Sequence, residues 1–130
     1  MQEKISKNID QICARYSIDI VNEMKSECDS KEIQSLVTKA LGVLQQQGLY
    51  AFGLFCKAEN KAEGILKKAI EMLREIGIMK NSNEEDLSSI SNLSERIHDL
   101  MFAIEIVEKT LIYARYHAKA LVKESSSHSE

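Results

Sequence analysis

Not one proline and no tryptophan occurs in the 130 residues, and glycine appears only five times. Proline and glycine punctuate turns, so a chain nearly without them suits a few long helices better than many short strands. Aromatic residues make up 5%, too few for a typical β-sandwich. The three cysteines, Cys13, Cys28 and Cys56, are odd in number and widely spaced. They offer no CxxC pair to hold zinc and no even framework to staple a secreted domain, and so predict reduced thiols in a cytoplasmic protein. No segment approaches the roughly 20 apolar residues of a membrane span. The chain opens on Met1-Gln-Glu-Lys-Ile, charged where a leader would be apolar, so a soluble protein with no membrane contact is expected.

Hydrophobic residues amount to 44% and charged residues to 28%, which is globular composition, and the length suits one domain able to bury a core unaided. The net charge of -3 weighs against a generic nucleic-acid binder, because phosphate contacts favour a basic surface. The charge is unevenly spread. Residues 1 to 32 carry seven acids and five bases, residues 33 to 80 four and seven, and residues 81 to 130 nine and five. A basic middle between acidic ends fits a local phosphate contact or a docking surface.

Apolar residues at steps of three or four predict an all-α, single-domain bundle of about five helices, ending in one long C-terminal helix. Ile5, Ile9, Ile12, Tyr16, Ile20 and Met24 line a first helix over about residues 2 to 26. Asp29 and Ser30 can cap a second, lined by Ile33, Leu36, Val37, Ala40, Leu41 and Leu44 and stopped at Gly48. Leu49, Phe52, Phe55 and Cys56 mark a short third helix ending near Asn60, and Ile65, Leu66, Ala69, Ile70, Leu73 and Ile76 a fourth ending at Gly77. Residues 79 to 93, MKNSNEEDLSSISNL, are polar and aperiodic and predict the longest loop. The last helix opens around Ser94 to Ile97 and ends near Lys123, with a core stripe of Ile97, Leu100, Met101, Ile104, Val107, Leu111, Ala114, Ala118 and Leu121. The bundle domain is therefore expected over 1 to 123. The tail over 124 to 130, ESSSHSE, has no apolar face to bury and is expected to be disordered.

No catalytic constellation emerges. Glu95-Arg-Ile-His98 forms one Glu-x-x-His turn of the kind found in di-iron bundles, but a second is missing and Glu95 falls opposite the apolar stripe. Glu105 and Glu108 have the spacing of half a magnesium site in all-helical nucleotide pyrophosphohydrolases, without the second acidic pair. Glu105 also precedes Lys109 by four, the favourable order for a surface ion pair. No phosphate loop, nucleophile elbow or Cys-His grouping occurs, so neither an enzyme nor a metal or other cofactor is expected. What remains is basic: Lys57 and Lys61 four apart, Lys67 and Lys68 on the next helix, and Arg115, Lys119 and Lys123 stepping by four along the last. Such rows can meet successive phosphates of a nucleic acid, and they are also what an ordinary solvated helix face looks like.

Taken in order, these motifs resemble the small-subunit family of Cmr-type, or type III-B, CRISPR effector complexes. RYSIDIVNEM looks like the family's first helix, with Arg15, Ile18 and Val21 in the matching places. EIQSLVTKALGVLQQQGLYAFGLFCK is similar to the central signature, in which a glycine-leucine pair is followed by a phenylalanine seven positions after the glycine; Gly48, Leu49 and Phe55 fall there. IVEKTLIYARYHAKAL looks like the closing helix, with Tyr113 in place of the usual tryptophan, Arg115 at the first basic place, Tyr116 where an arginine normally follows and His117 in place of an aromatic. The first helix is about ten residues longer than the family's.

The resemblance implies a non-catalytic subunit in antiviral defence that stacks along the groove holding guide RNA and target RNA, with the other subunits of the complex as partners. It carries over Lys57, Lys61, Arg115 and Lys119 as RNA-facing, and makes head-to-tail self-stacking of acidic ends on basic patches an expectation. The alternative is a small helical adaptor or regulatory bundle that binds a protein partner through an exposed apolar groove.

Overall fold

The structure is a computed structural model that describes the backbone of residues 2 to 128 and the side chains of residues 8 to 124. Among the described residues there are six helices and no strand: α1 (Gln2–Met24), α2 (Ser30–Gln47), α3 (Leu49–Ala58), α4 (Glu63–Ile76), α5 (Asp86–Leu93) and α6 (Ile97–His128). None is long and apolar enough to cross a membrane. The all-α bundle with a long closing helix is as expected, with one helix more than about five. α6 runs beyond the expected end at Lys123. The disorder expected of the tail over 124 to 130 concerns residues whose side chains, from 125 onward, lie outside the description.

Local chemistry sets the ends of α2. The Asp29 carboxylate accepts from the Glu32 N–H at 2.8 Å while the Glu32 carboxylate accepts from the Asp29 N–H at 3.2 Å, a reciprocal capping box that satisfies two otherwise orphaned donors. At the other end Gly48 has φ 94° and ψ -176°, a backbone state that side chains oppose. Its N–H closes α2 on the Leu44 carbonyl while its own carbonyl accepts from Phe52 and begins α3. One residue thus ends one helix and starts the next. Gly77, at φ 92° and ψ 7°, stops α4.

The additional helix, α5, lies inside the stretch expected to be the longest loop. Leu87, Ile90 and Leu93 recur at steps of three among polar neighbours, and Ile90 and Leu93 are fully enclosed. Gly53 of α3 makes room for them: a Cβ there would sit 2.9 Å from Leu87 Cδ2 and 3.0 Å from Ile90 Cδ1. Two helices come together where one has no side chain.

α6 spans about 48 Å at 1.5 Å per residue, and it packs on both α1 and α2. α1 runs antiparallel to it, with Asp10 bonded to Tyr113 and the Cys13 thiol facing the Ile106 carbonyl. α4 crosses the other side of α1, where Arg15 and Tyr16 both reach Glu75. A single core joins residues of every helix.

The stripe expected on α6 needs correction in its first half. Ile97 and Met101 are 58% and 56% exposed, and Phe102 is exposed beside them. Ala103, Ile106 and Thr110, outside the expected stripe, are buried, while Val107, Leu111, Ala114 and Ala118 are buried as expected and Leu100, Ile104 and Leu121 pack partly buried against the core. In its first half the buried face takes the small residues Ala103 and Thr110, which the expected stripe passed over for Ile97 and Met101. Thr110 is satisfied by donating to the Ile106 carbonyl at 2.9 Å.

Candidate nucleic-acid interface

The four residues expected to face RNA fall into two groups with different electrostatics. Lys57 closes α3, with Nζ 3.8 Å from Glu63. Lys61 sits in the α3–α4 turn at φ 74°, a left-handed conformation unusual for a side-chain-bearing residue, and its Nζ lies 3.1 Å from Glu32 Oε2. The other oxygen of that carboxylate caps α2, so Lys61 is tied to a fixed anion. The consequences run both ways. The Asp29 N–H, followed by Lys61, holds the Glu32 carboxyl below the usual carboxylate range, and Glu32 pushes the Lys61 ammonium up. Both lysines thus face a carboxylate of the chain, Lys61 at closer range than Lys57.

The α6 row differs. Among the described residues, Arg115, Lys119 and Lys123 enter no ion pair. At 3.6 residues per turn they share an arc of about 80°. The Arg115 guanidinium lies 5.6 Å from the ring centroid of Tyr116, which is 59% exposed. Cations and a solvent-facing aromatic therefore occupy the same two turns, a combination that meets phosphates with charge and bases with a flat ring. No hydrogen bond or ion pair joins this group to Lys57 and Lys61 among the described residues.

The expected Glu105 to Lys109 pair is not formed. Lys109 reaches across to α1, with Nζ 2.7 Å from Asp10 Oδ1, the carboxylate that also accepts from the Tyr113 hydroxyl at 2.5 Å. Lys109, followed by Tyr113, holds the Asp10 carboxyl below its ordinary range. Tyr113 thus clamps α6 to α1. With Lys109 engaged, Glu105 and Glu108 enter no ion pair among the described residues.

Glu95 and His98 are exposed, and no group of three metal-ligating side chains comes together among the described residues. An opening of about 730 Å³ lies between the end of α1 and α4 and mixes Lys61, Lys67 and Arg74 with Glu23, Glu27, Glu63, Glu71 and Asp86. Opposite charges interleave there without a convergent set of either sign. The three thiols are buried, and burial pushes that of Cys56 up to about 12, so none presents a nucleophile.

Sequence reasoning passed over two features of this surface. The expected contact residues do not include Tyr116, although an aromatic between basic residues at helical spacing is a recognisable signal. The neutralisation of Lys61 by Glu32 had no signal, since the partners are 29 residues apart. Compared with protein-family models, with curated proteins and with solved structures, the chain matches none.

Proposed function

We propose that the chain is a non-catalytic helical subunit of an RNA-guided effector complex of the type III-B CRISPR kind, contacting RNA phosphates through the C-terminal half of α6. One observation carries the RNA contact: Arg115, Lys119 and Lys123 lie on one arc with no carboxylate partner among the described residues, beside exposed Tyr116. The placement in a CRISPR complex rests on the sequence resemblance alone. Within this proposal the contact belongs to Arg115 and Lys119, with Lys57 and Lys61 secondary because each already faces a carboxylate.

The test is titration of the protein with single-stranded RNA over a range of salt. Three phosphate contacts release about two counterions, so log affinity is expected to fall against log salt with a slope of about -2. Arg115→Glu with Lys119→Glu should abolish binding, while Lys57→Glu with Lys61→Glu should leave most of it. Wild-type protein that binds no RNA at low salt, or an α6 variant that binds as well as wild type, would overturn the proposal. A protein-binding adaptor is the second reading, favoured by the exposure of Ile97, Met101 and Phe102 at the start of α6. In that case Met101→Lys with Phe102→Lys would remove partner binding and the α6 cation variant would not.

A further inference from the structure

The exposed face of α6 has a charge order that the RNA contact does not use. From Met101 onward one flank of that face, at steps of four and three, carries Glu105, Glu108, Ile112, Arg115 and Lys119, with exposed Lys109 and Tyr116 beside it. Met101, Glu105 and Lys119 are exposed, and Glu108, Ile112 and Arg115 are half-buried. The two acids lie seven and four positions before Ile112, and the two bases three and seven positions after it. Acid and base are therefore balanced about Ile112, with Glu105 and Lys119 each about 10 Å from it along the axis. Among the described residues none of the four charges enters an ion pair, and Lys109, four positions after Glu105, is engaged by Asp10. A helix face with this order is complementary to itself when turned end for end.

We propose that this face is covered by a second copy of the chain, in an antiparallel α6-to-α6 contact with its twofold axis near Ile112. Glu105 and Glu108 then lie against Lys119 and Arg115 of the other copy, each contact made twice by symmetry, and the two Ile112 side chains meet at the centre. Such a contact is isologous and closes on itself, unlike head-to-tail stacking, which propagates. Four charge contacts at a solvent-exposed seam make a weak, salt-sensitive dimer. The consequence for function rests on the RNA contact proposed above: the dimer and RNA use the same Arg115 and Lys119, so they exclude one another. The dimer is a store in which the basic stripe is masked, and RNA opens it. The acids that draw in the second copy also repel phosphates, which favours an RNA that supplies enough contacts to displace both.

Sedimentation equilibrium of the full chain at low and high salt tests the dimer. The mass is expected to rise toward two copies with concentration at low salt and to stay at one copy at high salt. Glu105→Lys with Glu108→Lys makes the face wholly basic, and Arg115→Glu with Lys119→Glu makes it wholly acidic. Each variant alone should dimerise at least about tenfold more weakly, since attraction becomes repulsion at every contact. An equal mixture of the two should pair again, and circular dichroism of each checks that it is folded. A folded wild-type protein that stays monomeric at every concentration at low salt overturns the proposal. So does dimerisation that both variants retain. For the competition, RNA added to the wild-type dimer should release monomeric complexes, and Glu105→Gln with Glu108→Gln should bind RNA several-fold more tightly than wild type. RNA bound to an intact dimer overturns the exclusion. A charge-dependent dimer whose wild-type and glutamine forms both ignore RNA leaves the dimer standing and overturns the RNA reading, so the two failures are separable.

Discussion

Tyr16 shows how one side chain ties pH to stability. Its ring is buried between α1 and α4, and its hydroxyl donates to Glu75 at 2.9 Å. Burial, and secondly the bond to that carboxylate, push its pKa from 10.0 up to about 12. The folded state therefore holds the phenolic proton more tightly than the unfolded state. The stabilisation is whole below pH 10 and is lost as the pH rises from there through about 12. Replacing Tyr16 with Phe removes both the bond and the titration. At neutral pH the variant is expected to be less stable by about 1 kcal/mol at most, because Glu75 is partly solvated. Between pH 10 and 12 that gap should close, since only the wild type has the Tyr16 proton to lose there. Urea midpoints of both proteins at neutral and alkaline pH measure it, and other tyrosines cancel in the difference. A gap that stays constant would mean that the hydroxyl is not held as described.

Among the helices, α2 owes its start to two contacts that share Glu32. Asp29→Ala removes the carboxylate that accepts from the Glu32 N–H and is expected to cost about 1 kcal/mol. Glu32→Gln keeps a group able to accept from the Asp29 N–H and loses only the exposed pair with Lys61, a few tenths of a kcal/mol. Chemical denaturation of the two variants should rank them in that order, and equal losses would show that the ion pair rather than the cap holds the end. The same helix shows what is legible in sequence. Asp29, Ser30, Glu32 and Gly48 are cap signals that act within a few residues, so both ends of α2 could be read directly. α5 could not: its eight residues are too few for a periodicity to stand out, and its partner is Gly53 in α3, far away in sequence. The first turns of α6 present two adjacent apolar faces, and only the neighbouring helices decide that Ala103 and Ile106 go inside while Ile97 and Met101 stay out. At the candidate interface the basic row of α6 was legible because it is local. What set it apart from Lys57 and Lys61 was not, because their counter-charges come from Glu63 and Glu32 through the fold.

At the scale of the whole molecule, the first and last helices are also a principal packing pair. α1 supplies Cys13, Tyr16, Ile20, Val21 and Met24 to the core, and α6 supplies Ala103 through Ala118 between α1 and α2. No helix has a core of its own, and α1 and α2 cover their apolar faces fully only when the last helix docks on both. Unfolding is therefore expected to be a single transition. With no tryptophan in the chain, tyrosine fluorescence is the tertiary probe, and it is well placed: Tyr16 lies where α1 meets α4, and Tyr113 bonds α6 to Asp10 of α1. Its transition in urea should coincide with the loss of helix by circular dichroism. Leu111, fully buried on α6, provides the sharper version of the test. Leu111→Ala leaves a cavity costing about 2 to 5 kcal/mol, a large share of the roughly 5 to 15 kcal/mol that holds such a domain together. If the core is one unit, both probes shift to lower urea together by the same amount. If tyrosine signal is lost well before helix, α6 and α1 part from a bundle that survives them, and the joint core described above does not hold the molecule together.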